Sequence, residues 1–270
     1  YVGGFNNQEL AHIFKSWNEG ELHSYLIGIT AGIFREADDL GDGELIDRIK
    51  DSAKQKGTGR WASIEALKQG VDISMITSAC TARIMSNHLD EREKAWQLIH
   101  SPAVGLSPDK ESFAAMVREA LYTGKIIAYA QGFSLMQDAS RLYGWNLALG
   151  KIASIFRAGC IIQAVFLNDI THAFEAEPKP ENLIFDGFFL SRINEHQDSL
   201  RQAVSTGVMN GLPIPALCNA VSYLDEFRAK AAGANLIQAQ RDCFGAHTYE
   251  RTDREGVFHH EWRWANDNQH

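Results

Sequence analysis

Apolar residues recur at spacings of three and four along most of the chain, the period of helices that bury one face. The clearest case is "ESFAAMVREALYTGKIIAYAQGFSLMQDASRLYG", residues 111–144. There Phe113, Met116, Val117, Ala120, Leu121, Ile127, Ala128 and Leu135 fall on that period and Gly144 closes the run, which predicts one long, mostly buried helix. The same pattern predicts helices over 8–17, 21–36, 43–55, 62–69, 73–99, 146–175, 187–210, 215–231 and 234–250. Alternating β-branched runs of the kind a strand needs are missing. The expected fold is therefore all-α: a large multi-helix domain over 1–250 and an extended C-terminal tail over 251–270.

Punctuation agrees with this division. Pro and Gly cluster in "HSPAVGLSPDK" and "EAEPKPEN", which read as loops between helices. Ser107 and Asp109 stand where a cap for the long helix is needed, and Asn146 is the expected N-cap of the next one. Gly124, Gly132, Gly150 and Gly159 lie inside helical patterns. Each costs up to ~1 kcal/mol against Ala, so close helix packing is the expected reason for them.

Composition narrows the function classes. At 270 residues and 45% hydrophobic, the chain can bury roughly 70 to 75% of its unfolded surface. A formal charge of −8 argues against a duplex nucleic-acid binder, which needs clustered cations to release phosphate counterions. No apolar run approaches the ~20 residues of a membrane span and no signal-peptide pattern opens the chain, so a soluble, cytoplasmic protein is expected. Cys80, Cys160, Cys218 and Cys243 show no CxxC spacing and read as reduced packing residues.

Several motifs fail on context. "GTGRWA" at 57–62 matches a dinucleotide fingerprint, but the polar "DRIKDSAKQK" precedes it where a hydrophobic strand is required. In "DDLGDGELIDRI", counted from Asp38, Leu40 and Ile49 fall where calcium ligands belong. His259, His260 and Glu261 lack a metal-binding helix spacing and read as part of a solvated tail, so no metal is expected.

Isolated basic residues near helix ends remain. In "KQKGTGRW", Lys56 ends a polar helix and a new one begins near Trp61. This is either a helix-to-helix link with Gly57 as a C-cap, or an anion site built from helix-start N–H groups, the Thr58 hydroxyl and the Lys56 ammonium. Arg83, on the small apolar segment "ITSACTARIMS", is snorkelling, paired with a carboxylate, or free for a ligand. Arg241 has Asp242 and Glu250 as possible partners. His247, one and a half turns later, is a satisfied core ring or a ligand group.

Read together and in order, "WNEGELHSYLIGIT", "KGTGRW", "ARIMS", "GWNLALGKIASIFRAGCIIQAVFL" and "ANLIQAQRDCFGAHTYERTDREGVFHHEW" change this balance. Over essentially its whole length the chain resembles the C-terminal helical domain of the 6-phosphogluconate dehydrogenase family. The resemblance implies substrate-phosphate contacts at Lys56, Thr58 and Arg83. It also implies that Arg241 and His247 reach into the active site of the other subunit of a homodimer. Arg60 stands where many members have Lys, and Cys243 where an aromatic residue is usual.

The implied reaction is NADP-dependent oxidation of the 3-hydroxyl of 6-phosphogluconate, then decarboxylation to ribulose 5-phosphate, within the pentose phosphate pathway and gluconate utilization. The resemblance assigns NADP and the catalytic lysine and glutamate to a Rossmann domain and helix before Tyr1. No catalytic residue is then expected in this chain, which by itself should be inactive. Two other readings stand beside this one. A helical domain of another β-hydroxyacid dehydrogenase would be shorter and lack the "QAQRDCFGAHTYE" end. A non-enzymatic interaction domain would give Lys56, Arg83 and Arg241 ordinary intrachain salt bridges.

Overall fold

A computed structural model describes residues 2–102, 105 and 109–262. The expected all-α architecture is observed. Eleven α-helices run in chain order among the described residues: α1 Asn7–Asn18, α2 Tyr25–Ile33, α3 Thr58–Gln69, α4 Ser74–Ser86, α5 Leu89–Leu98, α6 Lys110–Leu142, α7 Leu149–Ile155, α8 Leu167–Glu175, α9 Gly187–Met209, α10 Pro215–Arg228 and α11 Ala234–Gly245. A short antiparallel pair follows, β1 Tyr249–Glu250 against β2 Val257–Phe258, with Tyr249 opposite Phe258. Two compact units are distinguished, Tyr1–Ser222 and Tyr223–His270.

The first unit is organised around α6. Its N-cap is Asp109, whose carboxylate accepts from the amides of Glu111 and Ser112 at 3.0 and 3.1 Å. Ser107, the other expected cap, lies outside the described residues. The middle of α6 is buried on several sides, through Ala120, Tyr122, Thr123, Gly124, Ile126, Ile127, Ala130 and Phe133, and α9 packs along it. Phe166 is buried edge-on against Tyr122, Tyr129 and Phe189.

One polar side chain in this core matters for the site. Gln131 of α6 is wholly buried; its Oε1 accepts from the Met75 amide at 3.1 Å and its Nε2 donates to Ser74 Oγ at 3.1 Å. A buried amide with both ends satisfied fixes where α4 begins.

Several expected boundaries are corrected. Segment 43–55 is not a helix: a single 3-10 turn, Leu45–Arg48, is followed by chain that is neither helix nor strand. Segment 73–99 breaks at Asn87, whose Nδ2 donates back to the Arg83 carbonyl at 2.6 Å and across to the Ala53 carbonyl at 3.0 Å. Segment 146–175 becomes α7 and α8. Asn146 is not a cap: its φ is +50°, and Ala148 takes the N-cap position. Segment 234–250 stops at Gly245.

The helical glycines divide as well. A Cβ on Gly124 would lie 2.8 Å from Leu217 Cδ2, and one on Gly150 3.0 Å from the Thr171 carbonyl oxygen, so both permit close packing. Gly132 has nothing within 4 Å of that position, and Gly159 lies in a turn between α7 and α8.

Among the described residues no helix is long and apolar enough to cross a membrane. No group of three or more His, Cys, Asp or Glu side chains among them could hold a metal ion. The four cysteines are free and half-buried.

Candidate functional site

The first group of predicted residues is built where α3 begins beside the end of α4. Residues 51–53 are fastened to the α4–α5 junction. The Ala53 amide donates to Ser86 Oγ at 3.0 Å, Ser52 Oγ donates to Asn87 Oδ1 at 2.8 Å, and the Arg92 guanidinium donates to the Asp51 carbonyl at 3.1 Å. Downstream, Gly59 sits so close to α4 that a Cβ there would meet Cys80 Sγ at 2.4 Å. Between these two fastenings lie residues 54–58 on one side and 81–85 on the other. Lys56, Thr58 and Arg83 therefore share one stretch of surface.

The local chemistry follows from Gly57. It adopts φ +100°, a conformation glycine reaches without a Cβ clash, and it is the N-cap of α3 rather than the C-cap of a preceding helix. Having no side chain, it caps nothing, so the first-turn N–H groups that helix geometry leaves over are not taken by a cap. Thr58 is the first residue of α3. Lys56, Thr58 and Arg83 are exposed, and none makes a side-chain hydrogen bond or ion pair within the described residues. The carboxylate partner considered for Arg83 is not found there.

The second group lies in the unit Tyr223–His270. Arg241 is exposed on α11, and its guanidinium donates to Gln238 Oε1 at 3.2 Å instead of pairing with Asp242 or Glu250. His247 is not on the helix and is not a core ring. It is exposed just past the end of α11, beside Phe244 with ring centroids 5.9 Å apart. Its neighbours Ala246 and Thr248 both have positive φ, +49° and +59°.

Sequence reading overlooked Asp242, the residue that holds this region. Its side chain is wholly buried and accepts four hydrogen bonds: from the Thr248 amide at 3.0 Å, His259 Nδ1 at 2.8 Å, the His260 amide at 3.0 Å and Trp262 Nε1 at 2.9 Å. A carboxylate only accepts, so Nδ1 of His259 carries the hydrogen. Burial pushes the Asp242 pKa up, but the bonds from His259, His260 and Trp262 outweigh it and hold the group well below the usual carboxylate range. The reading of His259, His260 and Glu261 as a solvated tail is corrected for the two histidines: one ring and one amide return to α11. The available signal was an Asp directly after Arg241 with two His and a Trp downstream.

The family described as "6-phosphogluconate dehydrogenase, C-terminal domain" matches residues 1–262. A 6-phosphogluconate dehydrogenase (decarboxylating) of Lactococcus lactis subsp. lactis is 48% identical over 261 residues, which is 97% of this chain and 55% of that protein. One from Staphylococcus aureus is 47% identical over 259 residues, 96% and 55% of the two chains. The solved structure of Plasmodium falciparum 6-phosphogluconate dehydrogenase superposes with a TM-score of 0.92 at 41% identity, covering 96% of this chain and 56% of that one. This chain thus spans about half the length of the relatives it matches. On the match over residues 1–262 and these identities, the chain belongs to the 6-phosphogluconate dehydrogenase family and corresponds to its C-terminal domain.

Proposed function

We propose that this chain is the substrate-gripping and subunit-pairing part of an NADP-dependent 6-phosphogluconate dehydrogenase acting in the cytoplasm, in the pentose phosphate pathway and gluconate utilization. One observation carries the reading. Lys56, Arg83 and Arg241 are exposed cations with no carboxylate partner among the described residues, where an interaction domain would pair them internally. Lys56 directly precedes the start of α3, and an unpaired cation beside free helix-start N–H groups suits a phosphate dianion.

In this reading the Lys56 ammonium and the Arg83 guanidinium neutralise the substrate phosphate. The Thr58 hydroxyl and the first-turn amides of α3 donate to it. Arg241 adds a planar pair of donors and His247 a single adjustable one, to the phosphate or a sugar oxygen. These residues orient the substrate and break no bond. Arg241 and His247 serve the partner's site in a homodimer, and Leu236, Ile237 and Phe244, exposed on α11, are suited to such pairing.

NADP, when bound, accepts the hydride. The described residues do not fit it: their only strands are the two-residue pair β1–β2, and "GTGRWA" opens α3 after chain that is not a strand. We therefore assign the cofactor and the proton-transfer residues to a part of the enzyme other than this chain. The 270-residue chain alone should not reduce NADP with 6-phosphogluconate at any concentration.

The test is complementation in the full-length enzyme. Lys56→Ala and Arg241→Ala homodimers should each be weak, because losing a charge-assisted contact removes about 1.5 to 3 kcal/mol of binding. If ligands cross the interface, a heterodimer gathers both defects in one site and leaves the other intact, so about half of the activity returns per heterodimer. No recovery, with heterodimers verified by mass spectrometry, rejects the shared site.

A further inference from the structure

His247 is presented by a turn that its own sequence does not favour. Ala246 and Thr248 both adopt the left-handed conformation, at φ +49° and +59°, which places Cβ against the following carbonyl and persists only where neighbours over-determine it. Three bonds do so: the Ala246 amide donates to the Asp242 carbonyl at 2.9 Å, the Thr248 amide to Asp242 Oδ1 at 3.0 Å, and Gln238 Nε2 to the Thr248 carbonyl at 2.5 Å. The His247 ring folds back over Gly245, where a Cβ would lie 2.8 Å from its Nε2. Gln238 also accepts from Arg241, so one small frame holds both predicted ligands.

The same carboxylate holds the chain beyond the hairpin. Asp242 Oδ1 accepts from His259 Nδ1, and Oδ2 from the His260 amide and the Trp262 indole. On α11, Arg241 is exposed while its neighbour Asp242 is wholly buried.

We propose that Asp242 is a positioning residue for 6-phosphogluconate binding: by fastening the 246–248 turn and the 259–262 segment to one point of α11, it sets His247 beside Arg241 before substrate arrives. This rests on the proposed role of Arg241 and His247. Asp242 touches no substrate. It removes the ordering that the two ligands would otherwise undergo on binding.

The experiment is steady-state kinetics in the full-length enzyme with Asp242→Asn, Trp262→Phe and Arg241→Ala in parallel. An amide at 242 turns an NH2 toward at least one group that is itself a donor, so the frame opens while side-chain volume is kept. Asp242→Asn should raise KM for 6-phosphogluconate about ten- to a hundredfold, the effect of losing a charge-assisted contact to the substrate, and change kcat much less. Trp262→Phe, which removes one donor and keeps a ring, should raise KM a few-fold.

A purely structural role would lower the amount of active enzyme and leave KM unchanged. Wild-type KM in folded Asp242→Asn, with KM raised in Arg241→Ala, overturns the proposal and leaves the phosphate reading standing. If Asp242→Asn fails to fold, an unchanged KM in Trp262→Phe overturns it instead. An unchanged KM in Arg241→Ala removes the role of the arm itself, and both readings fall together.

Discussion

Two ionisable groups taken out of water, Asp242 at the end of α11 and Lys125 in the middle of α6, are treated in opposite ways. Asp242 receives four donors and stays a carboxylate. The Lys125 ammonium nitrogen is shielded from solvent with no hydrogen-bond acceptor among the described residues. It lies 5.3 Å from the centroid of the Phe166 ring, beside an apolar cavity of about 260 Å³ bordered by Leu26, Ile27, Leu121 and Ile162. Burial pushes its pKa down to about 8. The difference shows that burial alone does not decide the charge of a group. The partners reaching it do, and a chain that supplies four of them uses the charge as a fastening.

The largest expected effect breaks the satisfied side of this comparison. Asp242→Ala leaves two chain segments, the 246–248 turn and residues 259–262, without their common acceptor, so trypsin should cleave at Arg251 and Arg254 at least about tenfold faster than in the wild type, as a cooperative local unit opens. Unchanged cleavage would show that the β1–β2 pair holds the segment without Asp242.

Lys125 should respond in the opposite direction. Replacing it with Met removes a buried unpaired charge and should stabilise the protein below pH 8, by up to about 3 kcal/mol from the depressed pKa. The sign follows from linkage. The folded-state pKa lies below the unfolded value, so between about pH 8 and 10.5 the unfolded chain binds more protons and wild-type stability rises with pH. Below pH 8 the penalty is fully present, and above about 10.5 it is gone. Denaturant midpoints of wild type and Lys125→Met across this range should converge as pH rises. Parallel curves would place a partner on Lys125 in solution.

Lys56 and Arg83 sharpen the comparison, since they have neither burial nor a side-chain partner among the described residues. Lys56→Ala or Arg83→Ala should each change unliganded stability by less than about 0.5 kcal/mol. Each should also remove most of the thermal protection given by 6-phosphogluconate. Added salt should weaken that protection, because exposed charges are screened within about 8 to 10 Å. Equal shifts from gluconate and 6-phosphogluconate would argue against a phosphate site. Thr58→Val is the smallest change: one hydrogen bond from a neutral hydroxyl to the charged phosphate, at the low end of about 1.5 to 3 kcal/mol, read as about tenfold weaker affinity by calorimetry.

Much of this molecule was legible along the chain. The apolar period predicts helices at the positions of α1, α6, α9 and α10, because a helix that buries one face writes its period into local sequence. The segments that carry the family resemblance, "KGTGRW" and "ARIMS" among them, were legible for a similar reason: their order and spacing survive in the one-dimensional record.

Tertiary structure decided the rest. Segment 43–55 has helical periodicity, yet its final residues bond to Ser86, Asn87 and Arg92 instead, and contacts made some 35 residues away override propensities of a few tenths of a kcal/mol per residue. Asn87 ends α4 because Ala53 lies within reach. The charge state of Lys125 depends on which groups surround one turn of α6. Above all, sequence alone determined that Arg241 and His247 stand six residues apart, whereas only the folded chain brought His259, His260 and Trp262 onto the carboxylate between them. Periodicity is a local property of neighbours on one helix. Satisfying a buried charge needs donors from wherever the chain returns, and their distance along the sequence carries no pattern.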